Sequence, residues 1–257
     1  MSSTYKLGRN PTRHDRRTLR FGDYSIALPT PPESVTWSKP VPATGWPMMG
    51  NDQVGDCTFA AAGHTIQCWT TNAAPPGFIP SDSDILTGYS AVTGYDPNDP
   101  STDTGANELD VLNYWRNTGI AGHRIGAYVA VDPTNLLHVK QALWLFGGLY
   151  TGFDLPNFAL PSDQGVPAWV LPAGQGLTGD YAPDPDNGHA IDAVDYDPNS
   201  ITMITWGAKQ PMNWPFFTAY CPELYAIISQ DWIENNGNAP SGFNMAALTA
   251  DLKVVSA

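Results

Sequence analysis

The sequence predicts an α+β fold, because a helix-rich first half precedes a strand-rich second half and no internal repeat joins them. Apolar residues recur at helical spacing in residues 107–118 and 135–145. Two β-type runs, 189–196 and 201–206, flank a turn at residues 197–200. The chain has 257 residues, of which 42% are hydrophobic, and this is ample material for a buried core.

The domain organisation follows from the first thirty residues. Residues 1–30 form a polar, basic tail that ends in a proline-rich connection, and residues 31–257 are then the folded domain. Within this domain we expect a helical lobe over about 51–130, and a β-rich lobe over about 140–257 together with 31–50.

Cys57 is expected to begin a helix. A glycine-bearing turn, residues 49–56, precedes it, and the alanines at 60–62 favour helix. Residues 83–90 predict a short helix, and residues 149–153 predict a buried strand after the helix at 135–145.

The charge is divided unevenly between the tail and the domain. Within the first twenty positions a single aspartate, Asp15, opposes six basic residues, which are half of the twelve in the chain. These basic residues are Lys6, Arg9, Arg13, Arg16, Arg17 and Arg20. Since the net charge is −13, residues 1–20 carry about +5 and the remainder about −18. We therefore expect residues 1–20 to dock, either on their own acidic body or on a separate partner. Nucleic acid is not an expected partner, because the acidic body would repel phosphate.

The sequence points away from a membrane protein and a disulfide framework. No stretch of about 18 apolar residues occurs, and the polar N-terminus does not resemble a signal peptide, so we expect synthesis in the cytoplasm. Three cysteines at unrelated spacings argue against paired disulfides and a thiolate metal site. Asp96, Asp99 and Asp103 lack the alternating spacing of a calcium loop. We expect no metal and no cofactor.

Three separated motifs resemble the papain-like cysteine peptidases. Gly55-Asp56-Cys57 is similar to the calpain form of the motif around the nucleophile. Residues 189–196 resemble the family's His-Ala-Val-x-x-Val-Gly-Tyr strand, and Trp206-Gly207 resembles the Trp-Gly that follows the third catalytic residue. The motifs occur in the family's order, and the resemblance extends over about residues 35–232.

The resemblance implies a two-lobed fold, with a helical lobe and a lobe made of a twisted antiparallel sheet or partial barrel. The active cleft would lie between the lobes. A cysteine at a helix N-terminus is favoured as thiolate by the helix dipole. Cys57 would attack a carbonyl carbon, and His189 would protonate the leaving amine to give a thioester acyl-enzyme. Gly105, Ala106, Gly188 and Trp206 would line the substrate cleft.

Two positions depart from the family pattern. The side-chain donor to the oxyanion is a glutamine in the family; Asn51 matches it in position and Gln53 matches it in chemistry, so both stay candidates beside the backbone N–H of Cys57. The residue that orients the histidine is an asparagine in the family. Counting back from Trp206 gives Ile204, whereas counting forward from His189 gives Thr205, whose hydroxyl could accept the ring N–H. Water or a backbone carbonyl are further alternatives.

The sequence thus predicts a cysteine peptidase or related amide hydrolase that acts on a peptide or protein without binding a membrane. The alternative is a weakly active or inactive papain-like module that binds within a larger assembly. The missing asparagine and the short tail favour this alternative. A component of a larger particle, or export by a leaderless route, would be compatible with either function.

Overall fold

A computed structural model of the protein describes residues 5–25, 28–42 and 44–229. The start of the predicted tail, residues 1–4, and the end of the predicted β-rich lobe, residues 230–257, lie outside the described residues.

The described chain contains six α-helices and seven strands. The helices are α1 (Phe21–Tyr24), α2 (Cys57–Ala73), α3 (Asp82–Thr93), α4 (Glu108–Asn117), α5 (Leu136–Phe146) and α6 (Trp214–Tyr220). The strands are β1 (Val35–Thr36), β2 (Ile125–Ala130), β3 (Leu149–Asp154), β4 (Gly188–Tyr196), β5 (Ser200–Thr205), β6 (Ala208–Asn213) and β7 (Glu223–Ser229). Among the described residues, no helix is both long and apolar enough to cross a membrane.

The predicted helices are confirmed, with polar residues at their starts. Helix α2 begins at Cys57, as expected. Asn107 caps α4 by accepting a hydrogen bond from the Leu109 N–H, and Asn135 caps α5 in the same way. Gly147 ends α5 in the left-handed conformation, at φ 72°.

The strands form one open antiparallel sheet in the order β2-β7-β3-β4-β5-β6. The predicted strand at 149–153 is confirmed as β3, and the predicted hairpin is confirmed as β4 and β5. Strand β1 pairs with the end of β4, beyond the residues that β3 covers. Strand β2, which falls in the stretch expected to be helical, pairs with β7 at one edge of the sheet.

The two larger hydrophobic cores lie beside the sheet. One joins helices α2, α3 and α4 and includes Phe59, Leu112 and Trp115. The other joins helices α5 and α6 to the sheet and includes Phe146 and Phe217. Helix α2 packs against β4, so the first residue of the helix lies near the first residues of the strand.

Candidate active site

Cys57 lies at the junction of α2 and β4. It is the first residue of α2, and its side chain is buried. Its Sγ accepts a hydrogen bond from the Ala190 N–H at 3.4 Å. Ala190 follows His189 in β4, so this contact brings the thiol to the end of the strand that carries the imidazole.

His189 is held by a hydroxyl and an indole. Its Nε2 lies 2.6 Å from Thr205 Oγ1, at the end of the neighbouring strand β5. The ring stacks on Trp206, with centroids 4.2 Å apart and planes 13° apart. Among the described residues, Nδ1 of His189 has no hydrogen-bond partner.

Thr205, rather than Ile204, contacts the imidazole. Side chains alternate between the two faces of a strand, and Ile204 packs in a separate apolar cluster with Val194 and Trp46. Trp206 and Gly207 then form a tight turn, with φ 46° and 72°. Positive φ is unusual for a bulky residue, and strain of this kind often marks functional sites. The turn brings the indole over His189.

Burial keeps both the Cys57 thiol and the His189 imidazole neutral in this structure. Desolvation raises the pKa of Cys57 to about 12, although the hydrogen bond from Ala190 opposes the shift. Desolvation, together with the positive charge of Arg9, lowers the pKa of His189 to about 3. The covered site therefore holds a thiol and a neutral imidazole at neutral pH.

The N-terminal tail covers the site. Residues 6–10 lie along the expected cleft and bond to the residues that the sequence assigned to it. The hydrogen bonds run from Lys6 N to Asn51 O (3.0 Å), Gly8 N to Gly188 O (3.2 Å), Ala106 N to Gly8 O (2.8 Å), Asn10 N to Ala106 O (2.9 Å) and Trp206 Nε1 to Lys6 O (3.0 Å). Three of the four predicted cleft residues, Ala106, Gly188 and Trp206, thus bond directly to the tail.

The tail fits closely because Gly8 and Gly105 have no side chains. A Cβ on Gly8 would lie 1.8 Å from the carbonyl oxygen of Gly55, which immediately precedes Asp56 and Cys57. Gly105, the remaining predicted cleft residue, has φ 71°, and a Cβ there would lie 2.3 Å from the carbonyl oxygen of Gly8. With any larger residue at position 8, either the tail or the turn at Gly55 must shift.

Arg9 is buried in an acidic pocket that the sequence analysis did not identify. We define the acidic pocket by Glu108 at the start of α4, Asp154 at the end of β3 and Glu223 at the start of β7. Arg9 Nε donates to Glu223 Oε1 at 3.1 Å, and Nη1 donates to Asp154 Oδ1 at 3.0 Å. Glu108 Oε1 lies 3.9 Å from Arg9 Nε. The uneven charge was the available signal, but it did not single out Arg9 or the three carboxyl groups.

The two candidate oxyanion residues lie in different surroundings. Asn51 is buried, and its Nδ2 donates to Val54 O at 3.1 Å within the turn before Cys57. Gln53 is exposed, and its Nε2 donates to Asp52 at 3.0 Å. The structure therefore places Asn51 within the turn before Cys57 and Gln53 at the surface.

Asp103, one of the three aspartates that lack the spacing of a calcium loop, has a structural role near Cys57. The carboxylate of Asp103 accepts hydrogen bonds from Gly55 N at 2.9 Å and from Tyr89 Oη at 2.6 Å. Tyr89 Oη in turn accepts from Gly105 N at 2.9 Å. Asp103 thus connects the turn before Cys57 to Gly105 at the edge of the expected cleft.

The fold is that of papain-like cysteine proteases. Xylellain, a cysteine protease from Xylella fastidiosa, matches with a TM-score of 0.65 at 16% identity, over 89% of this chain and 98% of that chain. A digestive procathepsin L 3 from Tenebrio molitor larval midgut matches with a TM-score of 0.57 at 10% identity, over 88% and 76%. Procathepsin B S9 from Trypanosoma congolense matches with a TM-score of 0.53 at 12% identity, over 88% and 87%. At the sequence level, neither a family model nor a curated protein matches.

Proposed function

We propose that this protein is a cysteine peptidase or related amide hydrolase in which Cys57 and His189 react and Thr205 orients the imidazole. The observation that carries the proposal is the hydrogen bond between the Cys57 thiol and the backbone N–H of Ala190, the residue after His189, whose imidazole Thr205 and Trp206 contact. The papain-like fold supports it.

The mechanism follows from the positions of these groups. Once the site is open to water, the desolvation that keeps the pair neutral weakens, and the proton of Cys57 can pass to His189. The thiolate attacks the carbonyl carbon, and the imidazolium gives its proton to the leaving amine as the C–N bond breaks. A water molecule, deprotonated by His189, then hydrolyses the thioester and restores the thiol.

The oxyanion of the tetrahedral intermediate requires fixed donors. Amide groups in the first turn of a helix have no intrahelical acceptor, so the Cys57 N–H is one candidate. The side-chain amide of Asn51 is the second candidate by position. Its NH₂ group has two hydrogens, one donated to Val54 O and one directed to the buried Asp56 carboxyl, so the contact with Asp56 must open before Asn51 can donate to an oxyanion. Such a donor contributes about 3–4 kcal/mol to transition-state stabilisation.

The tail must leave the cleft before a substrate can enter. We propose that Gly8→Val releases it in the full-length chain, because the side chain would collide with the backbone at Gly55. This substitution leaves every residue of the proposed reactive site unchanged.

Thiol labelling tests the proposal. Iodoacetamide labelling followed by peptide mapping should be slow at Cys57, Cys68 and Cys221 in the native chain, since all three are buried and burial raises the pKa of each. In the Gly8→Val chain, we expect Cys57 alone to react at least tenfold faster. His189→Ala in that background should remove the acceleration. Equal labelling of the three cysteines in Gly8→Val would contradict the proposal.

Product analysis separates hydrolysis from acyl transfer. The Gly8→Val chain is incubated with a peptide mixture, with and without an added primary amine. New carboxyl termini alone indicate a hydrolase, whereas amine-capped products indicate an acyl transferase.

A binding module is the second candidate function. The covered cleft favours it, because the site as it stands excludes substrate and keeps Cys57 and His189 uncharged. A Gly8→Val chain in which Cys57 becomes accessible but cleaves no peptide would support this function instead.

A further inference from the structure

The acidic pocket belongs to the folded body rather than to the tail. Its carboxyl groups come from α4, β3 and β7, which are far apart in sequence and converge only in the fold. The tail contributes Arg9 and the Thr12 hydroxyl, which accepts from Arg9 Nη2 at 2.6 Å. Removal of the tail would leave the three carboxyl groups in place.

The shape and the charge of the acidic pocket both suit a guanidinium group. Gly152 of β3 forms its floor, and a Cβ there would lie 2.2 Å from Arg9 Nε and 2.7 Å from Glu108 Oε1. Glu108 is fully buried, and its oxygens accept from no donor among the described residues; burial, together with the neighbouring Glu223, raises the pKa of this carboxyl group. Buried acidic groups are costly without a cation or donors nearby.

The pocket opens onto the candidate active site. The Arg9 N–H donates to Gly188 O at 3.1 Å, one residue before His189. The residues on either side, Gly8 and Asn10, both bond to Ala106 at the cleft edge. An extended backbone in this cleft therefore directs one side chain into the pocket.

We propose that the acidic pocket is an arginine-binding subsite, which Arg9 occupies in the covered chain and an arginine side chain of a peptide substrate occupies after the tail has left. Arginine fits better than lysine, because Glu223 and Asp154 bind different nitrogens of one planar group, whereas an ammonium is a single point charge. That this arginine belongs to a substrate rests on the proposed function; the selectivity of the pocket for arginine does not.

A binding experiment without turnover tests the subsite. The protein is the full chain with Gly8→Val to release the tail, Arg9→Ala to vacate the pocket and Cys57→Ala to prevent reaction. The probes are a fluorescent peptide with the sequence of residues 5–12 and the same peptide with norleucine in place of arginine. We expect the arginine peptide to bind at least tenfold more tightly, since charge-assisted hydrogen bonds are lost with norleucine.

Variants of the pocket residues test whether the difference in affinity between the two peptides arises in the acidic pocket. Glu223→Gln should reduce the ratio of the two affinities to about threefold or less, and Gly152→Ala should do the same by filling the floor without changing the charge. Asp110→Asn, an exposed carboxylate outside the pocket, is the matched control and should leave the ratio unchanged. Equal binding of the two peptides to the unaltered pocket would overturn the proposal.

A cleavage profile separates this proposal from the proposed function. A peptide library is treated with the Gly8→Val chain that retains Cys57, and the products are sequenced. Arginine enriched at one fixed position from the cut, and lost in Glu223→Gln, supports both proposals. Selective binding without cleavage supports the subsite and contradicts the peptidase. Cleavage without arginine enrichment contradicts the subsite alone.

Discussion

The Thr205 hydroxyl contacts the imidazole of His189 where the papain-like pattern in the sequence calls for an amide. A threonine side chain is shorter than asparagine, and the 2.6 Å contact forms because Thr205 is the last residue of β5, directly before the turn at Trp206. The position of Thr205 beside this turn thus brings a shorter side chain within reach. Counting forward from His189 had favoured this residue, and counting back from Trp206 had favoured Ile204.

Substitution of Thr205 should lower turnover without preventing folding. In the Gly8→Val background, Thr205→Val removes the oxygen but keeps the shape, and we expect kcat to fall by about 10- to 100-fold, the effect of losing one hydrogen bond to a group that becomes charged. Thr205→Ser retains the hydroxyl and should keep most of the activity. Equal rates for the valine and serine variants, measured on one peptide, would exclude an orienting role.

His64 should make the stability of the protein sensitive to acid. It is buried in α2, where its Nε2 donates to Pro47 O at 2.9 Å, and desolvation lowers its pKa from 6.5 to about 4. Between these values the unfolded chain binds a proton that the folded chain does not, so the free energy of unfolding falls as the pH drops from 6.5 towards 4. The contribution of this group amounts to about 3 kcal/mol.

Chemical denaturation at several pH values tests this expectation. His64→Gln keeps a donor for Pro47 but does not titrate, so its unfolding free energy should decline less steeply between pH 6.5 and pH 4. His14→Gln, on the exposed tail, is the matched control. A slope in His64→Gln as steep as that of the native chain would refute the assignment.

At the scale of elements, the turn between β5 and β6 determines how the site is assembled. Trp206 and Gly207 both have positive φ, and the paired residues Thr205 and Ala208 flank them. Two-residue turns of this conformation match the twist of the strands they join. One short turn therefore positions both the hydroxyl and the indole that contact His189.

The N-cap of α4, the helix that carries Glu108, should contribute to the stability of the protein. Asn107 accepts from Leu109 N at 3.1 Å, and its Nδ2 donates to Pro11 O in the tail at 3.1 Å. We expect Asn107→Ala to lower the free energy of unfolding by about 1 kcal/mol, a typical cost of losing an N-cap.

A matched variant separates the cap from the tail contact. Asn107→Asp keeps the acceptor for Leu109 but loses the donor to Pro11, so it should retain most of the stability in thermal denaturation. If the aspartate variant were as unstable as the alanine variant, the tail contact rather than the cap would be responsible.

The elements that the sequence revealed are those with a strong local pattern. Alanines after Cys57 and the amphipathic spacing around Leu112 were sufficient for α2 and α4. Strand β6 was missed because it carries Lys209, Gln210 and Pro211, which do not alternate between apolar and polar. In the same way, β2 was hidden within a stretch expected to be helical.

The acidic pocket could not be predicted for a different reason. Its residues are separated by most of the length of the chain, and each carboxyl group alone resembles an ordinary surface residue. Cys57 and His189 could be proposed as a pair from the sequence because both residues lie within local motifs. No local motif surrounds Arg9 or Glu223.

At the scale of the whole molecule, the tail and the body should be coupled through Arg9. Removal of one member of a buried ionic cluster leaves the others without compensation, so Arg9→Ala should lower the free energy of unfolding by about 3 kcal/mol at neutral pH. Arg13 forms an ion pair with Asp110 at 2.5 Å, but both side chains are nearly half exposed. Arg13→Ala should therefore cost about 1 kcal/mol or less.

Denaturant titration of the two variants compares the buried and the exposed arginine directly. Similar losses for the two variants would mean that the buried cluster does not hold the tail.

Gly8 and Arg9 belong to the same chain as the cleft that they occupy. Their binding to the cleft is therefore independent of the protein concentration. A tethered segment acts at an effective concentration that reaches the millimolar range for short connections, whereas a free peptide acts only at its own concentration. Ordinary substrates at micromolar levels would therefore seldom displace the tail by competition. Opening of the cleft would instead require an event that acts on the tail itself, such as proteolytic cleavage or a mechanical force on the N-terminus.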